Sequence, residues 1–131
     1  MADISAALVT YLKAYAGLTA LVSTRIYPVQ LPDDRTIPAV TYHMQTSPRT
    51  HVCSYAKPYF RITAWSYTHA LSWQIAEQVR LALESYHGAM GTVHAFSMVE
   101  DLSDGHFEPV PDPGLFPVHV YARIWYQEAA G

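Results

Sequence analysis

The sequence predicts a single α+β domain over residues 1–131, with two helices packed on one face of a mostly antiparallel sheet. Two segments carry apolar residues at three- and four-residue spacing, which is typical of amphipathic helices. Four others are extended segments rich in strand-forming residues, so the predicted order is α-β-β-α-β-β. A chain of 131 residues, half of them apolar and 15% charged, has the size and composition of one folded domain.

The first helix is predicted to begin after Asp3, a good N-cap residue, and to end at Gly17. Residues 18–22 are predicted to add a short second turn of helix. The apolar stripe of the first helix consists of Ile4, Ala7, Leu8, Tyr11, Leu12 and Tyr15.

The first extended piece is short and covers residues 25–27 before Pro28. The alternating residues of 39–45 and 59–65 then predict two half-buried strands that pair as a hairpin. Residues 47–58 form its predicted tip, which is longer than a chain reversal needs. A loop of this length is more often functional than accidental.

The second helix is predicted over residues 70–83, capped by Ser66 or Thr68 and followed by Gly88 and Gly91. Its predicted core stripe is Leu71, Ile75, Val79, Ala82 and Leu83. We also expect Trp65 and Ile124 to be largely buried between this helix and the sheet.

The C-terminal part is predicted to contain two more strands, over residues 92–99 and 115–126. The acidic, proline-bearing segment 100–113 is predicted to connect them as a loop.

Charge and composition argue against several partners. Eight basic and eleven acidic residues give a net charge of -3, which disfavours tight binding to nucleic acid phosphates. Apolar runs are only a few residues long, so no membrane contact is predicted. The single cysteine, Cys53, cannot form a disulfide within the chain, which fits synthesis in a reducing cytosol.

The chemistry-bearing residues form no recognisable catalytic or metal-binding motif. None of the seven histidines has another at helical i, i+4 spacing or in a His-x-His pair. His43 and His119 meet only if their strands are neighbours in the right register. Cys53 lies close to His51 in the sequence, but a solvent-exposed loop thiol is the favoured interpretation over a nucleophile activated by the imidazole. The sequence therefore predicts no enzyme, no metal site and no cofactor.

The aromatic content is high for so short a chain. Ten tyrosines and three tryptophans suit a protein–protein interface, since both side chains combine an apolar body with a polar tip. Strand propensity explains them equally well.

Several local motifs occur together in a characteristic order. They are Arg25-Ile26-Tyr27-Pro28, Leu31-Pro32, Ile37-Pro38-Ala39-Val40-Thr41-Tyr42, Phe60-Arg61-Ile62-Thr63-Ala64-Trp65, the helix from Ala70 to Leu83, the acidic Glu100-Asp101 with Phe107-Glu108-Pro109, and the final strand. In this order and spacing the chain resembles the tail-completion proteins of long-tailed bacteriophages, also called tail terminators or head–tail joining proteins. The hairpin tip departs from the resemblance, because residues 52–58 lack the expected glycine-bearing apolar turn.

The resemblance implies a structural function in the virion, where the tail meets the neck. It implies a ring, usually of six copies, that caps the tail-tube protein and presents its other face to a neck or head-closure protein. DNA is expected to pass through the lumen of the ring without specific binding. The motif residues with an implied structural role are Arg25, Ile26, Tyr27, Pro28, Pro38, Tyr42 and Trp65.

For interface contacts we single out four residues of the hairpin tip: Arg49, His51, Tyr55 and Lys57. The two cations are expected to pair with acidic groups, and Tyr55 is expected to act as an anchor. Two other functions stay open at this stage. One is a different neck or tail-tube subunit, and the other is a small cytosolic enzyme or ligand-binding α+β domain.

Overall fold

The computed structural model describes residues 4–31, 36–46, 55–91, 93–105 and 114–127. Within them lie three helices and seven strands. These are α1 (Ile4–Lys13), α2 (Ala16–Val22), β1 (Ile26–Pro28), β2 (Ala39–Thr46), β3 (Tyr55–Ala56), β4 (Tyr59–Ser66), α3 (His69–Leu83), β5 (Tyr86–Met90), β6 (Val93–Asp104) and β7 (Phe116–Gln127).

The strands form one mixed sheet that curls into a half-barrel, in the order β1-β2-β4-β7-β6-β5. Only β1 and β2 run parallel among these pairs, and β3 adds to the end of β7. The predicted hairpin is confirmed, because β2 and β4 pair antiparallel with Val40 opposite Ala64. The α+β class and the mostly antiparallel sheet are likewise confirmed.

The main core lies between the helices and one face of the sheet. Ile75 and Val79 of α3 are buried there against Ile124 of β7, as predicted. Buried hydroxyl groups fix α3 in place at both ends. Ser72 Oγ donates to the carbonyl oxygen of Phe116 at 2.5 Å, and Ser97 Oγ donates to that of Leu83 at 2.7 Å.

Of the residues predicted to begin or end the helices, Thr68 is confirmed and Gly17 is wrong. Thr68 caps α3, since its side chain accepts a hydrogen bond from the Leu71 amide. Gly17 does not end the first helix, because α1 stops at Lys13 and Gly17 lies inside α2. A Cβ at Gly17 would meet the far end of the Gln78 side chain of α3. The predicted cap Asp3 lies outside the described residues.

The largest errors of prediction lie after α3. Gly88 and Gly91 do not simply follow the helix, since they belong to an unpredicted hairpin of β5 and β6. Strand β6 also continues to Asp104, so the beginning of the predicted acidic loop is in fact strand. The cause is β7, whose long edge pairs with β6 as far as Asp104 and Val118.

The hairpin of β5 and β6 packs against α1. Gly91 has φ 59°, and a Cβ there would lie 2.9 Å from the Ala7 Cα. The ring of Tyr11 packs on that of Tyr86 with centroids 4.4 Å apart, and its hydroxyl donates to the carbonyl oxygen of Ala82. Burial and the neighbouring tyrosines raise the pKa of Tyr11 to about 12.

Trp65 is not in the main core. It lies on the opposite face of β4 from Ile62 and Ala64, and it is only partly buried in a second cluster with Leu31, Ala39 and Leu115. The physical reason is strand alternation, which sends Trp65 to the face away from α3.

Within the described residues, no single helix is long and apolar enough to cross a membrane. Helices α1 and α2 reach that length and hydropathy only when taken together, with an 83° bend between them.

Truncation of Ile75 to alanine is expected to lower the free energy of unfolding by roughly 2–5 kcal/mol, because it leaves a cavity beneath α3. Leu81 on the same helix is half-exposed and offers a matched control. Leu81→Ala should change stability much less. Chemical denaturation of both variants measures the difference, and equal losses would contradict the packing of α3 described above.

A candidate protein-binding face on the sheet

The sheet face that lies away from the helices is lined by alternate residues of β2, β4, β7 and β6. In the central strands these are the residues that do not point into the main core. Strand pairing places Thr63 beside His119, Arg61 beside Tyr121, and Tyr59 beside Arg123. We call this surface the helix-free face.

One half of the helix-free face is covered and internally hydrogen-bonded. Trp65 Nε1 donates to Thr41 Oγ1 at 2.9 Å, and Thr63 Oγ1 lies 2.8 Å from His119 Nδ1. His119 is buried, and the backbone of Gly105 lies so close that a Cβ there would meet its Nε2 at 2.8 Å. These polar groups have their partners within the protein, so this half serves the fold.

The other half presents side chains to solvent. We define the open half of the helix-free face by six residues, which are partly or largely exposed: Tyr59, Phe96, Met98, Tyr121, Arg123 and Trp125. Phe96 and Met98 are exposed to 38% and 41%, which is high for such apolar side chains. The rings of Phe96 and Trp125 pack at a tilt of 49° with centroids 5.4 Å apart.

Arg123 is the polar centre of the open half. Its guanidinium carbon lies 4.9 Å from the centroid of the Tyr59 ring, within the range of a cation–π contact. Its Nε approaches Glu100 Oε1 at 3.3 Å, and its Nη1 donates to the carbonyl oxygen of Lys57 at 3.2 Å. Arg123 therefore joins β7 to β6 and to the end of the hairpin loop.

The environment of Tyr59 shows how these groups act on one another. Burial raises the pKa of the Tyr59 hydroxyl, and the charge of Glu100 and its hydrogen bond raise it further. Arg123 acts in the opposite direction, because a cation stabilises the phenolate. Tyr59 is thus held in the neutral form as a hydrogen-bonding aromatic.

The side chains of the open half are of the kinds found at protein–protein contacts. Aromatic rings, a methionine and an arginine are the side chains that protein interfaces favour. Within the described residues, no group of three or more histidine, cysteine or carboxylate side chains could hold a metal ion. His43 and His119 do not meet, because β4 lies between their strands.

Of the four predicted interface residues, Tyr55 and Lys57 lie in described segments. Arg49 and His51 fall outside the described residues, as does most of the hairpin tip. Lys57 is half-buried, and its carbonyl oxygen contacts Arg123. The backbone of Tyr55 pairs with Gln127, so the loop returns beside the C-terminal end of β7.

The motif residues between Arg25 and Tyr42 join β1 to β2. Arg25 Nε donates to the carbonyl oxygen of Pro38 at 2.8 Å, and Ile26 and Tyr27 pair with Val40 and Thr41. Pro28 pairs with Tyr42 at the end of β1, where the Val29 amide donates to the Tyr42 carbonyl oxygen. Trp65, the last of the motif residues, also contacts β2 through its hydrogen bond to Thr41.

Sequence reasoning missed the residues of the open half. Phe96 and Met98 alternate with the buried residues Ala95 and Ser97 along β6. Because Ala95 and Ser97 have small side chains and serine is polar, the alternation of buried and exposed residues along β6 is not apparent in the sequence. The signal that was available is the presence of large apolar side chains at every second position of a strand.

The comparisons with known proteins agree with this architecture. The sequence model of the family described as tail completion protein gp17 matches residues 6–127. The chain belongs to this family. Membership makes it a structural tail or neck protein of a bacteriophage-type virion.

A solved structure supports the fold independently of sequence. One chain of the particle described as "Virion of native gene transfer agent (GTA) particle" superposes with a TM-score of 0.74 and 17% identity. The match covers 95% of this chain and 95% of that one. Among curated protein sequences there is no significant match.

The titration of Tyr59 tests the contacts around Arg123. In Arg123→Met the pKa of Tyr59 should rise, because the cation that stabilises its phenolate is removed. In Glu100→Gln it should fall, because a nearby negative charge is lost. Ring signals of Tyr59 in NMR spectra, followed as the pH is raised, report both changes. Unchanged titration in both variants would show that the three side chains do not interact.

Proposed function

We propose that the protein forms a closed ring of six copies, as the family resemblance implies, and that this ring caps the tail tube and joins it to the neck. The proposal rests on family membership and on the open half of the helix-free face, which is the observation that carries it. Large contiguous apolar patches on a protein surface commonly mark sites of protein–protein contact.

A closed ring places a specific demand on each subunit. Except in a two-fold dimer, each copy must meet its neighbour through two different patches of its own surface. We assign the open half of the helix-free face to one of them. Its Phe96, Met98 and Trp125 supply apolar area, and Arg123 and Glu100 supply the charged border.

We assign the hairpin tip to a second contact, with the neighbouring subunit or with the tail tube. The loop leaves β2 at Thr46, opposite Tyr59 of β4, and it returns as β3 beside the end of β7. The tip therefore begins and ends at the border of the open half. Arg49 and Lys57 would pair with acidic groups of the partner, and Tyr55 would anchor the contact.

The charge of the chain agrees with a lumen through which DNA passes. A net charge of -3 gives no general attraction for phosphates. Arg123, the basic residue among the six that define the open half, forms an ion pair with Glu100. DNA would therefore pass through the ring without being held.

Loss of apolar area from the open half should prevent assembly without unfolding the subunit. Phe96→Ser with Trp125→Ser is expected to lower ring formation at least 10-fold, since buried aromatic anchors dominate interface energies. Tyr67→Ser is the matched control, because Tyr67 is an exposed aromatic at the start of α3, away from the open half.

The measurement is native mass in solution and electron microscopy of tails assembled with each variant. Rings or capped tails from the double variant at the wild-type level would contradict the assigned patch. A compact two-fold dimer in the assembled particle would contradict the ring itself.

The hairpin tip can be tested separately. Ala56 is buried, so a replacement should stop before β3 and exchange only residues 49–54 for glycine and serine. We expect this variant to fold and to melt like the wild type, yet to give overlong tubes or tails without heads. Normal infectious particles would refute a role of the tip in capping.

A further inference from the structure

Two histidine side chains meet on the outer surface of the hairpin formed by β5 and β6. His94 lies opposite Ala89 and His87 opposite Phe96, so the two histidines are diagonal neighbours on one face of the strand pair. Their Nε2 atoms lie 3.1 Å apart, and both side chains are exposed. Six residues separate them in the chain, and this spacing gives no hint of the contact.

The separation of the two nitrogens fits a shared metal ion. Two nitrogens bonded to one zinc ion at about 2.0–2.1 Å lie roughly 2.9–3.4 Å apart when the angle at the metal is about 90–110°. The observed Nε2 separation of 3.1 Å lies inside this range.

The orientation of the rings distinguishes a geometry suited to a shared metal ion from that of a direct hydrogen bond between the two histidines. With both rings aimed at one ion and that nitrogen separation, the ring centroids would lie about 4.8 Å apart. A straight N–H···N hydrogen bond would place them roughly 5.4 Å apart, since each N–H and each lone pair points away from its own ring. The centroids of His87 and His94 are 4.8 Å apart, with the rings nearly perpendicular at 88°.

The hairpin that carries the two imidazoles is anchored to the fold without help from a ligand. Met90 and Ala95 are buried beneath it, and Gly91 at its turn lies against Ala7 of α1. At the other end of β5, Tyr86 packs on Tyr11, and its hydroxyl donates to the carbonyl oxygen of Ala89. Because the backbone of both ligand residues is already fixed, metal binding would restrict only their side-chain rotamers.

We propose that His87 and His94 form a chelating site for a divalent transition-metal ion of the class that prefers imidazole, such as Zn²⁺, Ni²⁺ or Cu²⁺. Both would bind through Nε2 as neutral rings, each with its proton on Nδ1. Within the described part of the chain no third histidine, cysteine or carboxylate completes the set, so water fills the remaining positions. The ion would cross-link β5, the edge strand of the sheet, to β6.

The test uses the full-length protein in metal-free buffer, titrated with zinc chloride in a calorimeter. The wild type should bind one ion per chain, and its melting temperature should rise with zinc, because an ion bound only by the native state stabilises it. His87→Gln and His94→Gln should each lose both effects. His43→Gln is the control, since His43 is an exposed histidine on β2.

Paramagnetic Cu²⁺ provides a measurement that needs no variant. It should broaden the ring NMR signals of His87 and His94 before those of the other histidines. The proposal is overturned if zinc binding by the wild type does not saturate by about 1 mM. It is equally overturned if His87→Gln binds like the wild type, if His43→Gln loses as much, or if Cu²⁺ broadens all histidines alike.

Discussion

The pairing of β7 is the constraint on which the rest of the structure depends. This strand pairs with β4 along one edge and with β6 along the other, and β3 extends the pairing at its end. Alternate residues of β7 lie on opposite faces of the sheet: Val120 and Ile124 face the core, whereas Arg123 and Trp125 face outwards. A shift of one residue in its register would exchange these two sets and destroy both faces together.

The helices hold this sheet through specific polar contacts as well as apolar packing. The buried hydroxyl of Ser72 binds the first residue of β7, and that of Ser97 binds the last residue of α3. Hydrogen bonds inside an apolar core specify one arrangement, because a displaced helix would leave them unsatisfied. A rigid scaffold of this kind suits a virion protein whose task is to present a surface, since its contacts must be in place before assembly.

The open half of the helix-free face and the imidazole pair form one continuous surface. His87 contacts the ring of Phe96 at 6.3 Å between centroids, and Phe96 in turn contacts Trp125. An ion at the hairpin would therefore stiffen the strand pair that carries Phe96. In this way a small inorganic ligand would act on the same surface that is assigned to a protein partner.

The sequence by itself determined the helices, the first hairpin and the family. Ile75 and Val79 recur at helical spacing, and residues 39–45 and 59–65 alternate, so local pattern sufficed. Only the tertiary structure decided where β6 ends and what Trp65 contacts on the face away from α3. Both depend on a distant segment, since β7 extends β6 and Thr41 accepts a hydrogen bond from Trp65. The contact of His87 with His94 and the open half likewise arise only from strand register, which a single sequence does not display.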